Sequence, residues 1–221
     1  MKKTIFFILG KSCSGKTTIL NTILEHNLNY NLNLKRIKLH TNRPQRSPIE
    51  DDSEYYFDKT PVEELNHYDL FDAQFYTVKN KDGESELWYY YTSLDEFNND
   101  NLFYIVQGPL VMYNSYVNKF GDTMNIVPIY IKCNEDERVM RYVEREKKKL
   151  YPNWSEMYRR LHEDESKFKD IDFLVDKAKN KIIITNYNNT FHNVVSYIIF
   201  QIQAYKIKLY EDLLDIKHKE S

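Results

Sequence analysis

The feature that most constrains this chain is a segment near its start, residues 10–17, which reads Gly-Lys-Ser-Cys-Ser-Gly-Lys-Thr. It matches the pattern G-x-x-x-x-G-K-[ST], and we refer to it as the phosphate loop. The apolar run Thr4–Leu9 precedes it and is typical of a buried strand, whereas residues 18–25 carry apolar side chains at helical spacing. A strand, a glycine-bearing loop and a helix in this order predict a phosphate site built from backbone N–H groups and a helix N-terminus.

Within the phosphate loop, the pattern assigns Lys16 to the β- and γ-phosphates of ATP and the Thr17 hydroxyl to Mg²⁺. The residues predicted to bind ATP here are Gly10, Lys11, Ser12, Cys13, Ser14, Gly15, Lys16, Thr17 and Thr18. The alternative is a glycine-containing turn that happens to carry Lys-Thr. The two cysteines, Cys13 and Cys133, have no disulfide or metal spacing, and we interpret Cys13 as a small residue at a variable position rather than a redox switch.

Length and charge exclude several classes of protein. The chain of 221 residues suits one domain with an inserted lobe. A net charge of -2 gives no overall basic field, which argues against nucleic acid as the main partner. The apolar run after Lys2 and Lys3 is too short for a secretion signal, and no later run is long enough for a membrane span. We therefore expect a cytoplasmic protein without a membrane partner.

Later segments predict an α/β fold. Apolar runs at residues 102–107 and 126–133 flank a helical segment, as in parallel sheets, and residues 181–185 supply a last strand. Residues 34–40 are predicted as a single strand. The strand-rich, aromatic stretch 34–92 indicates an inserted lobe beside a core of residues 1–33, 93–140 and 171–221.

Two groups of arginines suggest anion binding. Arg43 and Arg46 lie on a proline-broken loop, where their guanidinium groups could converge on one phosphate. Arg138, Arg141 and Arg145 share one face of a predicted helix, and a second helix follows a basic turn. We interpret residues 141–170 as a helical lid. Solvated surface arginines and a solvated charged hairpin remain the alternatives.

These motifs, taken together, resemble the guanylate kinase family. Besides the phosphate loop, residues 41–46 (Thr-Asn-Arg-Pro-Gln-Arg) are similar to the family's T-T-R-x-P-R, and residues 55–57 to its following Y-x-F. Residues 89–93 are similar to its Y-Y-G-[ST] segment. The resemblance extends over residues 4–200 and is sharpest over residues 4–108.

The resemblance implies a P-loop NTPase-type parallel sheet core flanked by helices, with an acceptor-binding lobe at 34–92 and a lid, all in one domain of residues 1–221. It implies a nucleoside monophosphate kinase that uses ATP and Mg²⁺. The acceptor-binding residues carried over by position are Arg43, Arg46, Tyr55, Asp72, Tyr90 and Thr92. Catalytic roles fall to Lys16, Arg43, Arg141, Arg145 and Arg160, and Asn186 is placed near the donor adenine.

The positions at which the family recognises guanine are largely replaced. Leu39, Phe71 and Ile105 stand where the family has a Ser, a Glu and an Asp, and Tyr91 replaces the glycine of Y-Y-G. Thr92 keeps its hydroxyl. Asp72 is one residue from the expected Glu and could substitute only if the strand register slips, which would also reverse the face.

The sequence therefore predicts ATP-dependent phosphoryl transfer to a (deoxy)nucleoside monophosphate, GMP or dGMP first, by a monomer or homodimer. Three alternatives remain. The first is a kinase of the same fold with another acceptor, such as another nucleotide or ribose bisphosphate. The second is an inactive module that binds proteins. The third is a P-loop ATPase or GTPase, against which we note that the predicted strands at 102–107 and 126–133 do not end in an Asp.

Overall fold

The computed structural model describes residues 1–45, 55–58, 60, 64, 70–79 and 84–220, without the side chains of residues 79, 213 and 216–220. Arg46, predicted to bind the acceptor, lies outside these residues. The strands are β1 Thr4–Leu9, β2 Leu34–Arg36, β3 Leu39–Thr41, β4 Tyr55–Phe57, β5 Leu70–Lys79, β6 Ser85–Ser93, β7 Phe103–Gln107, β8 Asn125–Lys132 and β9 Ile182–Thr185. The helices are α1 Lys16–Glu25, α2 Leu110–Phe120, α3 Glu135–Lys147, α4 Trp154–Lys167, α5 Ile171–Asp176 and α6 Phe191–Glu220.

A five-stranded sheet in the order β2-β7-β1-β8-β9 forms the core. The pairings of β1 with β7, β1 with β8 and β8 with β9 are parallel. Parallel neighbours require crossover connections, and α1, α2 and α3 lie in the connections between these strands. The predicted α/β fold with a parallel sheet flanked by helices is confirmed.

Both faces of β1 are covered, which explains its unbroken run of apolar residues. Phe6 and Ile8 join a core cluster that contains Ile19 of α1 and Ile198 of α6. Phe7 points to the other face, where its ring lies 5.5 Å from that of Tyr113 and 5.2 Å from that of Tyr116 in α2. A strand buried on both sides is expected to be continuously hydrophobic.

The chain divides into two compact units. The first contains Met1–Lys35 and Leu102–Ser221, and the second contains Arg36–Asn101. The second unit holds a four-stranded sheet in the order β4-β3-β6-β5, in which β6 is antiparallel to β3 and to β5. A short 3-10 helix, Leu94–Phe97, follows β6, and the Ser93 side chain caps it by accepting a hydrogen bond from the N–H of Asp95.

Two predictions of secondary structure need correction. Residues 34–40 form two strands in different sheets, because the chain leaves the core sheet after β2 and enters the second sheet at β3. The helix α5 was not predicted. It is short, and its Ile171 and Val175 are buried. The described helices include none that is both long and apolar enough to span a membrane.

Candidate functional site

The phosphate loop joins β1 to α1, as its sequence pattern predicts, and both of its glycines have close neighbours. A Cβ atom at Gly10 would lie 2.7 Å from the backbone oxygen of Ile131. Gly15 has a φ of 98°, and a Cβ there would lie 2.5 Å from the Asn186 side chain. The loop therefore needs glycine at both positions, for space at the first and for space and conformation at the second.

The Lys16 ammonium lies inside the curve of this loop. Its Nζ donates hydrogen bonds to the backbone oxygens of Gly10, at 2.6 Å, and of Lys11, at 2.9 Å. Burial lowers the pKa of Lys16 to about 8, and the nearby Asp164 carboxylate opposes that shift. The loop thus holds a cation whose pKa is about 8, well below the ordinary value for a lysine.

If the phosphate loop binds ATP, as its sequence pattern predicts, the pKa of Lys16 sets the pH dependence of that binding. Lys16 is charged below its pKa and neutral above it, so its attraction for phosphate is present at lower pH and is lost as the pH rises through about 8. We expect the Kd for ATP, measured by calorimetry, to rise about tenfold between about pH 7 and about pH 9.5. A Lys16→Ala variant should bind weakly with a flat profile, and a flat wild-type profile would refute this role for Lys16.

Thr17, in the first turn of α1, faces the end of β7. Its Oγ1 lies 3.0 Å from Nε2 and 3.2 Å from Oε1 of Gln107. Among the described residues, no group of three His, Cys, Asp or Glu side chains is placed to hold a metal ion. A Mg²⁺ ion held here would have the Thr17 hydroxyl as a protein ligand and would complete its coordination with phosphate oxygens and waters.

Asn186 follows β9 and lies against the phosphate loop. Its Nδ2 donates to the backbone oxygen of Ser14 at 2.9 Å, and the residue is 3% exposed. Arg141 donates to the backbone oxygen of Asn186 at 3.2 Å and to Glu137 Oε2 at 3.3 Å. The structure thus places Arg141 on the segment beneath the loop, and the predicted adenine contact of Asn186 stays a prediction.

The other two predicted lid arginines lie in different surroundings. The Arg145 guanidinium stacks 4.3 Å from the centre of the Tyr142 ring, and its charge acts on both Cys13 and Lys16 of the phosphate loop. Arg160 Nε donates to Glu156 Oε1 at 2.6 Å. The structure therefore brings Arg145 to the loop, whereas Arg160 is held by a carboxylate of its own helix.

Sequence reasoning missed the groups that hold Ser12. The N–H of Ser12 donates to Asp164 of α4 at 2.7 Å, and Asp164 was not among the candidates. Arg138 shares a helix face with Arg141 and Arg145, yet its side chain is 0% exposed and pairs with Asp164. The opposite charges of Arg138 and Asp164 are visible in the sequence. Because the two residues are 26 positions apart, nothing in either segment indicates that they form a pair.

A cleft of about 270 Å³ lies beside the phosphate loop at the carboxyl ends of β8 and β9. Lys11 from the loop, Lys132, Cys133 and Tyr187 line it. Ligands of open parallel sheets bind outside the carboxyl ends of the strands. The loop and this cleft thus occupy the edge of the core sheet that is suited to a ligand.

In the second unit, Arg43 is buried among aromatic rings. It is 2% exposed, and its guanidinium lies 4.9 Å from the ring centre of Tyr55 and 5.1 Å from that of Phe57. The rings of Tyr55 and Tyr90 are 6.0 Å apart. Three predicted acceptor residues, Arg43, Tyr55 and Tyr90, are therefore neighbours on one face of the second sheet, which we call the acceptor face.

Asp72 and Thr92 lie where β5 and β6 pair irregularly. Phe71 pairs with Thr92 and Gln74 with Tyr90, so that β5 has one residue more than β6 between these pairs. This is a β-bulge, and Asp72 within it has a φ of 54°. Gln74 Nε2 donates to Asp72 Oδ1 at 3.2 Å, which places the carboxylate beside Gln74 on the acceptor face. The bulge thus shifts the pairing register at Asp72 while the rest of β5 keeps its faces, and the role of Asp72 in acceptor binding stays a prediction.

The opposite face of the second sheet carries a cleft of about 630 Å³. The ring of His40 lies 4.6 Å from that of Tyr91 and 4.7 Å from that of Tyr56. His40 Nδ1 is 3.0 Å from Asp58 Oδ2. In β4, Tyr56 lies between Tyr55 and Phe57. Because side chains alternate along a strand, Tyr56 and this cleft lie on the face opposite to the acceptor face.

Comparison with known proteins supports the fold. No protein-family model matches the chain, and a search of curated proteins finds no match. Among solved structures, the chain is similar to guanylate kinase from Anaplasma phagocytophilum, with a TM-score of 0.55 and 16% sequence identity over 92% of this chain and 87% of that one. It also matches an uncharacterized protein from Eubacterium ventriosum with a TM-score of 0.43, 14% identity and coverage of 92% and 99%. The first likeness, at this identity, shows a shared fold.

Proposed function

We propose that this protein is a guanylate kinase-like enzyme that transfers the γ-phosphoryl group of ATP to a nucleoside monophosphate, with GMP and dGMP as the expected acceptors. The observation that carries the proposal is the Lys16 ammonium held within a glycine-bearing loop at the carboxyl edge of a parallel sheet. The similarity in fold to a guanylate kinase supports the same reading.

The first unit would bind the donor. Backbone N–H groups of Cys13 and of residues 15–18 at the N-terminus of α1 would hold the phosphates, and Lys16 would neutralise charge on the transferred group. Thr17 would ligate Mg²⁺, which supplies charge neutralisation between the β- and γ-phosphates when bound. Arg145 would stabilise the charge that develops in the transition state, and we extend this role to Arg141 and Arg160 if α3 and α4 move when nucleotide binds.

The second unit would bind the acceptor. The Arg43 guanidinium, whose Nη1 donates to the Pro44 backbone oxygen at 3.0 Å, would turn two parallel N–H donors to a bound phosphate, and the Tyr55 and Tyr90 hydroxyls would complete the contact. Arg46 would join them. Because the acceptor phosphate is already ionised, the reaction needs no general base, and positioning with charge neutralisation accounts for the rate.

Asp72 is our candidate for recognition of the acceptor base. A carboxylate accepts hydrogen bonds from a base edge that presents N–H donors, as guanine does, and Thr92 adds a hydroxyl. The left-handed backbone of Asp72 costs a residue with a side chain about 1–2 kcal/mol, and such strain is often retained at functional sites.

Asp72→Gly separates the role of the carboxylate from the role of the bulge. Glycine adopts a φ of 54° without steric cost, so we expect the melting temperature to stay or rise. Discrimination between guanine and adenine acceptors, measured as kcat/KM, should fall by about 10- to 100-fold. Ala73→Gly, next to it in the bulge, is the matched control and should retain discrimination. Equal discrimination in wild type and Asp72→Gly would exclude this role.

A second candidate function is transfer to an acceptor other than a guanine nucleotide. Leu39, Phe71 and Ile105 offer no polar side chain, and Ile105 is fully buried in the core sheet. Consumption of ATP with a panel of ribo- and deoxyribonucleotides and ribose phosphates tests both candidates. GMP or dGMP as the best acceptor supports the first, another preferred acceptor supports the second, and no ATP consumption supports an inactive binding module.

A further inference from the structure

The peptide groups of Ser12 are held from both sides by one ion pair. Asp164 Oδ2 accepts the Ser12 N–H at 2.7 Å, and Arg138 Nη1 donates to the Ser12 backbone oxygen at 3.2 Å. The same Arg138 Nη1 donates to Asp164 Oδ2 at 2.7 Å. A carboxylate from α4 and a guanidinium from α3 thus fix the path of the phosphate loop just before Cys13, the first of its two left-handed residues, which has a φ of 60°.

Because Arg138 and Asp164 are both buried, their ion pair destabilises the fold unless their remaining hydrogen bonds are formed. The Arg138 side chain is 0% exposed and that of Asp164 is 11% exposed. Removing two charges from water carries a penalty that their attraction offsets only with good geometry and further hydrogen bonds. Glu135 supplies those bonds, accepting from Arg138 Nη2 at 2.7 Å and 2.8 Å and from Nε at 3.1 Å. Since an apolar pair of similar size would often be as stable, stability alone does not explain the charges.

The place of the pair indicates what it controls. An anion nest forms where successive N–H groups turn inward through alternating right- and left-handed residues, and the left-handed Cys13 is the centre of that turn here. Asp164 and Arg138 hold the residue before it at both its donor and its acceptor. Asp164 is also one helical turn from Arg160, so the same face of α4 carries a predicted lid arginine and the group that holds the loop.

We propose that Asp164 and Arg138 are positioning residues that preset the phosphate loop for the donor triphosphate, so that ATP affinity depends on how α4 packs on the loop. This inference rests on the proposed function for the identity of the ligand. It assigns no contact with the substrate to either side chain. It extends the donor site from the loop itself to the two helices behind it.

Matched variants test the inference through binding of ATP and of acceptor separately. Asp164→Asn keeps the shape and removes the charge, and Arg138→Lys keeps a cation but loses the fork that reaches Ser12 and Asp164 together. We expect each to raise the Kd and KM for ATP by about 10- to 100-fold and to leave the acceptor KM within about threefold. The double variant should lose little more than either single one, because both remove the same hold on Ser12.

Glu163→Gln is the control, since Glu163 is the adjacent residue of α4 and its carboxylate pairs with Arg159 and Lys167. It should leave the ATP affinity at the wild-type value. Equal losses in Asp164→Asn and Glu163→Gln, or equal losses for ATP and acceptor, would reduce the pair to a structural role and overturn the inference.

A second readout needs no nucleotide. Burial raises the pKa of the Cys13 thiol, so its alkylation should be slow in the wild type near neutral pH. If the pair holds the loop, Arg138→Lys should accelerate alkylation of Cys13 about tenfold while Cys133, followed on its own peptide, reacts at the wild-type rate. Arg138→Lys keeps a positive charge near the Cys13 thiol, whereas Asp164→Asn would itself lower the pKa of that thiol by removing a nearby carboxylate. An unchanged Cys13 rate overturns the inference. A wild type that binds no ATP refutes the proposed function instead, and the Cys13 rates still decide whether the pair positions the loop.

Discussion

Lys16→Ala is expected to lower ATP-dependent phosphoryl transfer by about 10³-fold or more. The Lys16 ammonium is within hydrogen-bond distance of two backbone oxygens of the phosphate loop, so its charge lies where the donor phosphates would bind. A hydrogen-bond donor that is fixed in place before the reaction stabilises developing charge without reorganisation. Loss of such a hydrogen-bond donor commonly costs several kcal/mol of transition-state stabilisation. Rates from product analysis, together with ATP affinities from calorimetry, measure the effect.

The fold should survive this substitution. Burial lowers the pKa of Lys16, which means that its charged form is disfavoured in the folded protein, so its removal relieves a cost while two hydrogen bonds are lost. The melting temperature should therefore change by only a few degrees. Lys11→Ala is the matched control, because Lys11 lies in the same loop but pairs with Glu165, and its loss should cost about tenfold or less. Similar activity in Lys16→Ala and wild type would contradict the donor site.

Arg43→Met is expected to raise the acceptor KM by about 100-fold or more while the Kd for ATP stays unchanged. Methionine fills the space between the Tyr55 and Phe57 rings but offers no charge and no N–H donors to a phosphate. Arg43→Lys should fall between the two, since an ammonium cannot reproduce the two parallel hydrogen bonds of a guanidinium. Steady-state kinetics with ATP and acceptor varied in turn separate these effects.

Lys38→Met serves as the control for Arg43→Met. Lys38 lies in the same unit, with its Nζ 4.9 Å from the Tyr56 ring, which is on the face opposite to Tyr55 and Tyr90. Its loss should leave the acceptor KM within about threefold of wild type. If Arg43→Met raised the ATP and acceptor constants alike, a general loss of structure would explain it, and Arg43 would lose its assignment to the acceptor.

The phosphate loop and the core strands could be predicted because their signals are local. The pattern from Gly10 to Thr17 follows an apolar run typical of a buried strand and precedes apolar residues at helical spacing. Each of these segments can be identified without knowing what it packs against. The break between β2 and β3 could not be predicted, because residues 34–40 look equally extended whether they join one sheet or two. Which strands pair depends on the tertiary structure, and the alternation of apolar and polar residues does not show it.

The finer parts of the site depend on contacts distant in sequence. The bulge at Asp72 exists because β5 pairs with β6 in two registers. The residues next to Asp72 include no glycine that would indicate a bulge. Arg138 was correctly placed on a helix with Arg141 and Arg145, but its burial is set by a carboxylate 26 residues away. The sequence thus indicated the chemistry of the site before the structure located the groups that hold it in shape.

The measurement that tests the central claim most directly follows the labelled γ-phosphoryl group of ATP in the presence of Mg²⁺ and GMP. We expect the label to appear in GDP, in step with ADP formation, and Lys16→Ala to abolish its transfer. Label that appears only in inorganic phosphate, with no nucleoside diphosphate from GMP or from any acceptor of the panel, would contradict a kinase and identify an ATPase.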